Sequence, residues 1–376
     1  MRVQSLDLAN FRNYAALHFS PPGGVCVFIG DNAQGKSNLL EALSLLATGK
    51  SFRAARESDL IRAGTPLARV AARVGTKNGD VTASCLITRV GEGARKRFVR
   101  NGRTVAYAQF LGGIAAVTFM PSDLALVSGP PALRRRFLNA ALSQADRTYY
   151  RDHAAYTKIV VQKNALLKAA SGVERALLST YNQQLAAVGS QLLCARARYV
   201  QRLSLSAAEV HARWVGATPG FSIRYAPSPA LPAGDASPGA ALAALERALE
   251  AALPAELVRK SALVGPHRDD VEFLLAGEPL GRFGSQGQQR TAVLAVKSAE
   301  YALLAAASGE PPLLLLDDVL SELDATRQRT FMSSIADCEQ VFVTATEAPD
   351  APTLGGAHVY EIVDGRVEAS AHAKTG

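Results

Sequence analysis

The 376-residue chain has few of the features that mark secreted, metal-clustered or membrane proteins. Cysteine is scarce: Cys26, Cys85, Cys194 and Cys338 lie far apart, with no metal-ligand spacing. That pattern predicts buried thiols in a reducing compartment. No apolar run approaches the ~18 residues of a membrane span. Arg2, Asp7 and Arg12 interrupt the first residues, so no signal-peptide core is predicted. These absences together predict a cytoplasmic protein. Sustained heptads and internal repeats are missing, which argues against a long coiled coil. Aromatics make up only 6%, which argues against the base-stacking platforms that grip single-stranded nucleic acid. Acids are also in deficit, with 33 Asp+Glu against 41 Lys+Arg for a net charge of +8. Such a surplus points to a polyanionic partner, nucleic acid before an anionic membrane surface.

What is present is an ordinary globular composition, 48% hydrophobic and 20% charged. The length predicts two domains, or one large domain with an insertion, and a core that needs no staples. The first third reads as β-rich. Strands are predicted over Val3–Leu8, Ala15–Phe19, Val25–Ile29, Ala68–Val74, Val81–Thr88 and Arg97–Arg100, with an Asn101-Gly102 turn. A helical pattern covers Asn38–Leu46. Residues 134–213 are helical by spacing and carry thirteen Lys or Arg against four acids, a surplus of nine. Residues 226–239 read as a flexible, exposed Pro/Ala/Gly linker. Beyond a helix at 240–252, α/β character resumes. Strands are predicted at 270–275, 312–316, 340–344 and 359–363, and helices at 286–306 and 325–335.

Gly30-Asp31-Asn32-Ala33-Gln34-Gly35-Lys36-Ser37 fits G-x-x-x-x-G-K-[ST] and lies between an apolar strand and an amphipathic helix, the context such a loop requires. Backbone N–H groups of the loop and the helix start face anionic phosphates. Lys36 supplies charge at the β and γ phosphates, and the Ser37 hydroxyl suits Mg²⁺. A second motif lies near the other end of the chain. Leu313-Leu-Leu-Leu-Asp317-Asp318 is an apolar strand ending in two acids. A carboxylate there is costly to bury unless it meets a cation. Asp317 is therefore the metal-side acid, and Asp318 either orients the attacking water or caps the following helix. The two motifs predict an ATPase with ATP and Mg²⁺ as cofactors.

Between them, Phe283-Gly-Ser285-Gln286-Gly287-Gln288-Gln289-Arg290 opens a helix, either as an anion site or as a simple polar cap. Ser321-Glu-Leu-Asp324 follows the acidic strand. This order resembles the ABC-type ATPase head: phosphate loop, signature, acid-ended strand, D-loop. More narrowly, Asn10-Phe-Arg12-Asn-Tyr14, the loop through Asn38 and Ala42, Met120-Pro-Ser-Asp-Leu124, Gly265-Pro-His-Arg-Asp-Asp270, the signature block and Leu316–Asp324 resemble the RecF family, in that family's order and across nearly the whole chain.

The resemblance implies an α/β fold, a P-loop ABC/SMC-type ATPase head with an inserted, mainly helical second lobe. The head would span 1–125 and 241–376, and a DNA-binding lobe 126–240. It implies ATP contacts at Arg12, Gly30–Asn38 and Thr346, with Lys36 and Asp318 catalytic and Ser37 and Asp317 on the metal. It also implies that Ser285–Gln289 reach the nucleotide of a second copy, with Ser321 and Asp324 as D-loop residues. Such proteins form ATP-dependent homodimers, bind DNA at gaps and single-strand/double-strand junctions, hydrolyse ATP slowly and work with RecO and RecR to load RecA. Asp318, where most ABC ATPases have Glu, would suit weak turnover. The usual switch His is absent, which leaves Thr346 as the sensor.

DNA contacts are expected from the basic lobe and the preceding hairpin: Arg103, Arg134, Arg135 and Arg136, with Arg89, Arg95, Lys96 and Arg97. Phosphate contacts of this kind give affinity without sequence preference. Any one of these residues could equally sit on a solvated face. Two other classes stay open. A transporter-type nucleotide-binding subunit is disfavoured by the basic insertion and by a gap of about 280 residues between the two ATPase motifs. An SMC-like nuclease or chromosome-structuring ATPase would need a nuclease domain or long coiled coil, and neither is visible.

Overall fold

The computed structural model describes residues 1–169, 174–215, 220–232, 236–322, 338–347 and 356–370, together with Gln328, Phe331 and Ile335. In chain order the elements begin with strands β1 (Arg2–Phe11), β2 (Tyr14–Phe19) and β3 (Gly24–Ile29) and helix α1 (Lys36–Thr48). Strands β4 (Leu67–Thr76), β5 (Gly79–Val90), β6 (Gly93–Arg100) and β7 (Arg103–Val105) follow, then α2 (Tyr107–Phe110) and β8 (Ala116–Phe119). Helices α3 (Ala125–Ser128), α4 (Pro131–Ala145), α5 (Arg147–Lys168) and the 41-residue α6 (Arg175–Val215) precede β9 (Phe221–Ala226) and α7 (Pro238–Arg259). Next come β10 (Asp270–Leu275), β11 (Glu278–Pro279), α8 (Leu280–Phe283) and α9 (Gln286–Ser308). The chain closes with β12 (Leu313–Asp317), β13 (Gln340–Thr344), β14 (His358–Val363) and β15 (Arg366–Ala369). The predicted helix over 325–335 lies outside the described residues apart from three isolated positions.

The chain divides into two compact units, 1–123 with 300–376, and 124–299. The second unit starts near the expected 126 but extends to Ala299 instead of 240, so the division falls within α9. The reason is local: β9 and β10 form one antiparallel ladder from Phe221↔Leu275 to Ala226↔Asp270, tying 270–275 to the helical segment.

The first unit has two six-stranded sheets. One is antiparallel, in the order β2-β1-β4-β5-β6-β7; the other has the order β15-β14-β3-β13-β12-β8 and is parallel except at β15. Helix α1 touches β8, β12 and β13 of one sheet and β4 and β5 of the other. That placement explains why ten of its thirteen residues are buried. A helix apolar on every face is buried on every face. The β12 run Leu313–Leu316 sits between β8 and β13, the expected place for an unbroken aliphatic strand.

The second unit is held by buried charges. Arg196 is 2% exposed and donates to Asp269 Oδ2 (2.7 Å), Tyr149 Oη (2.9 Å) and Asn139 Oδ1 (2.8 Å). Lys163 and Glu256 form a fully buried pair at 2.6 Å. Arg134 pairs with Asp270. Three of the thirteen cations in 134–213 are thus neutralised by acids outside that segment, which lowers its surplus from nine to six. The 226–239 stretch is not free along its whole length either. The Ser228 amide donates to buried Asp269 Oδ1 (2.8 Å), and Ser237 caps α7.

His267 adds a titratable group to this network. Its Nδ1 lies 2.8 Å from Tyr156 Oη and its Nε2 3.2 Å from the Ala262 carbonyl. A neutral ring protonated on Nε2 satisfies both. Burial pushes the imidazole down to about 4 from 6.5. The unfolded chain therefore takes up the proton first as pH falls. The stability due to neutral His267 is complete above 6.5 and is lost on the way down to about 4. We expect a loss of at most about 3 kcal/mol across that window. A His267→Gln chain should show a correspondingly flatter pH profile in urea unfolding, and an unchanged profile contradicts this assignment.

Candidate nucleotide site

The phosphate loop is shaped by backbone that only certain residues tolerate. Gly30 (φ 139°) and Gly35 (φ 119°) both lie in the left-handed half of conformational space. A Cβ on Gly30 would stand 2.5 Å from the Ile362 carbonyl oxygen, and one on Gly35 2.7 Å from Asn13 Nδ2. Ala33 also adopts positive φ (68°), at a cost of about 1–2 kcal/mol for an L-residue. Neighbouring turns hold the loop in this form. Asn13 Nδ2 donates to the Gln34 carbonyl (2.8 Å) and Tyr14 Oη to that of Gly35 (3.0 Å). The Asp364 amide donates to Gln34 Oε1 (2.7 Å), and the Gly365 amide to the Gln34 carbonyl (3.1 Å).

The loop opens onto a cleft of about 610 Å³ in the first unit. Arg12, Asn32, Ala33, Gly35, Lys36, Ser37, Asn38, Asp318 and Thr346 all line it. Gly30, Asp31 and Gln34 build the loop itself. Lys36 is 7% exposed, and its Nζ donates to the carbonyls of Gly30 and Asp31 (2.8 Å to the latter). Burial pushes its pKa down, opposed by Asp318, Asp31 and Asp317 in that order. A second cleft of about 560 Å³, lined by Arg2, His358 and Tyr360, has no glycine loop or helix start and lacks this chemistry.

The acids stand where the parallel register puts them. Asp317 pairs with Thr344 across β12 and β13, and Thr344 Oγ1 donates to Asp317 Oδ1 (2.8 Å). The same hydroxyl oxygen accepts from the Asp318 amide (2.9 Å). Asp318 is at φ 52°, and its Oδ1 is buried without a hydrogen-bond partner. A strained acid with an unused acceptor beside a lysine is a candidate functional carboxylate. Among the described residues no cluster of three His, Cys, Asp or Glu could hold a metal ion. A hydroxyl and one or two carboxylates beside phosphate do fit Mg²⁺.

Three residues at the cleft are not evident from the motif alone. Thr344 is visible only through strand register. Asn13 both pins the loop and accepts from Asn38 Nδ2 (2.7 Å). Glu41, 0% exposed on α1, forms a fork with Arg12 at 2.7 and 2.8 Å, accepts from Ser51 Oγ and stands 3.6 Å from Arg53. Its signal in the sequence is a lone acid inside an apolar helix.

The other predicted residues are distributed as follows. Ser285–Gln289 lie in the second unit. Ser285 Oγ accepts from the Gln288 amide (3.3 Å) and Gln288 Oε1 from the Ser285 amide (2.8 Å), a reciprocal cap on α9. Ser321 Oγ donates to the Asp318 carbonyl (2.8 Å); Asp324 lies outside the described residues. Of the cations expected on DNA, Arg134 is buried in its ion pair and Arg135 Nη1 is committed to the Asp269 carbonyl (2.7 Å). Lys96 donates to the Gly49 carbonyl (2.7 Å) and pairs with Glu57. Arg89, Arg95, Arg97, Arg103 and Arg136 are exposed. Register adds Arg69, which faces the same side of the sheet as Arg97 through Leu86.

Removing the Glu41 charge should strand Arg12. Glu41→Gln is expected to cost about 3 kcal/mol of stability and to weaken nucleotide binding, measured by urea unfolding and fluorescent-nucleotide titration. Unchanged values in both would overturn the pairing argument.

The family described as RecF/RecN/SMC N terminal domain matches residues 2–355. A DNA replication and repair protein RecF from Symbiobacterium thermophilum is 42% identical over 353 residues, covering 93% of this chain and 92% of the relative. Its counterpart from Synechococcus sp. (strain JA-3-3Ab) is 39% identical over 375 residues, covering 98% of both. A solved structure of the recombination mediator protein RecF with ATP, in the RecFOR pathway, superimposes with a TM-score of 0.91 at 31% identity over 98% of both chains. An SMC head bound to the C-winged helix domain of ScpA shares only the fold, at a TM-score of 0.54 and 16% identity. The chain belongs to the RecF family, within the wider RecF/RecN/SMC group.

Proposed function

We propose that this chain is an ATP-dependent, DNA-binding ATPase of recombinational repair. The observation that carries the reading is the Lys36 cleft, in which a glycine loop, a helix start and two strand-end acids converge. The match to an ATP-bound RecF structure supports the choice of nucleotide.

In this reading the loop amides and Lys36 hold the β and γ phosphates, and the lysine exchanges its loop carbonyls for phosphate oxygens. Ser37 and Asp317 would hold Mg²⁺, which supplies charge neutralisation at the phosphates. Thr344 keeps the Asp317 carboxylate in position. Asp318 orients the attacking water through its unused Oδ1. Its short side chain suits slow turnover, with hydrolysis resetting a binding state. Thr346 stands at the cleft as the γ-phosphate sensor.

Ser285–Gln289 complete the site from a second copy, so that ATP joins two chains around DNA. Arg69, Arg95, Arg97 and Arg103 supply phosphate contacts on the antiparallel sheet, and Arg136 on α4. Such contacts recognise duplex by backbone and shape, at gaps and at single-strand/double-strand junctions. The partners are those of the RecFOR pathway: RecO and RecR directly, and RecA as the protein loaded. The place of action is the cytoplasm, at the nucleoid.

Sizing on gapped duplex tests the reading. With ATP and Mg²⁺ the protein should elute as a DNA-bound dimer, while Lys36→Ala and Ser285→Arg should stay monomeric. A parent protein that is monomeric under every condition contradicts the ATP-joined dimer.

A further inference from the structure

Arg134 heads the basic run on α4, where charge alone predicts a DNA contact. The residue is instead buried, with its guanidinium fully engaged. Nε and Nη2 form a fork on the Asp270 carboxylate, at 2.6 and 3.0 Å. Nη1 donates to the carbonyls of Gly129 (2.7 Å) and Leu126 (3.2 Å). These acceptors lead to two ends of one segment. Asp270 opens β10, which runs through β11 and α8 into Gly284 and Ser285. Leu126 lies in α3, which Gly129 terminates, and α3 packs on α8. That packing is close: a Cβ on Gly281 would stand 2.4 Å from the Val127 carbonyl oxygen.

One guanidinium is therefore tied to the start of segment 270–285 directly and to its end through α3. Ser285 has little latitude beyond this. It is locked in its cap with Gln288, and Gln289 Nε2 holds the Gly284 carbonyl (3.0 Å). Where the start of α9 sits is decided by α8 and β10, and both are referred to Arg134. Lysine cannot substitute, because one ammonium on a shorter stem lacks the planar fork that serves a carboxylate and two carbonyls together.

We infer that Arg134 is a positioning residue for the signature: it sets the place from which Ser285 meets the nucleotide on a second copy. The inference rests on the proposed ATP-joined dimer. Displacements near 1 Å at such a site cost about 10²-fold in function. The cleft that holds a chain's own nucleotide lies in the other unit and shares no residue with this brace. The two functions should therefore separate.

Arg134→Lys breaks one end of the brace, and Gly281→Ala forces the other end apart. Each variant is assayed for affinity to a fluorescent ATP analogue and for ATP-dependent dimerisation, with Ser285→Arg in parallel. We expect both variants to bind nucleotide within about twofold of the parent and to dimerise at least tenfold more weakly. The positioning role is overturned if either variant dimerises like the parent while Ser285→Arg does not. It is also overturned if nucleotide affinity falls in step with dimerisation, since the effect is then general unfolding. If Ser285→Arg itself dimerises like the parent, it is the dimer reading that fails.

Discussion

The Lys36 ammonium is a buried charge, and a buried charge without partners is among the most costly features a protein can hold. Here two loop carbonyls accept from it and three carboxylates surround it electrostatically. Much of the first unit follows from supplying those partners. The carbonyls face inward only because Gly30 and Gly35 take left-handed backbone and Ala33 is forced into it. Asp31 comes with the loop itself, and Asp317 and Asp318 are near because β12 and β13 run parallel in one register, Asp317 beside Thr344. Helix α1 starts at Lys36 and is buried on all sides between two sheets, so its N-terminus cannot drift.

The second unit handles charge in the same way and for another purpose. Lys163 and Arg196 each meet an acid in the interior, and buried Arg134 meets the half-buried Asp270. Such pairs add less to stability than to uniqueness of geometry, because each fixes one register and penalises others. Two of them, at Arg134 and Arg196, converge on Gly265–Asp270, the block that leads into the signature helix. A basic segment that looks built for a polyanion thus commits part of its charge to internal geometry. The remainder is left for the surface.

Much of the architecture is legible in the residues themselves. Glycine loop, apolar strand and acid pair are each short, local patterns whose physics allows few alternatives, and all meet at one cleft. Features that depend on register and burial are not legible in this way. Nothing in Arg134-Arg-Arg136 distinguishes the buried first arginine from the exposed third; only the helix face and Asp270 do. Arg69 is far in sequence from Arg97 and joins it through two strand ladders. The compact units divide near 299 and not at 240, because the β9–β10 ladder spans a Pro-rich stretch that reads as a linker. Glu41 shows in the sequence only as a lone acid inside an apolar helix, and its partner Arg12 is declared only in three dimensions.

The central claim is that loop and signature act from different chains. Mixing two inactive proteins tests it most directly. Lys36→Ala keeps its signature and Ser285→Arg keeps its phosphate loop, so a mixed dimer holds one complete site. Because neither variant pairs with itself, every dimer in the mixture is mixed, and with one of its two sites complete the mixture should recover up to about half of the parental ATP hydrolysis on gapped DNA. Hydrolysis no greater than that of the two variants measured apart would contradict the account.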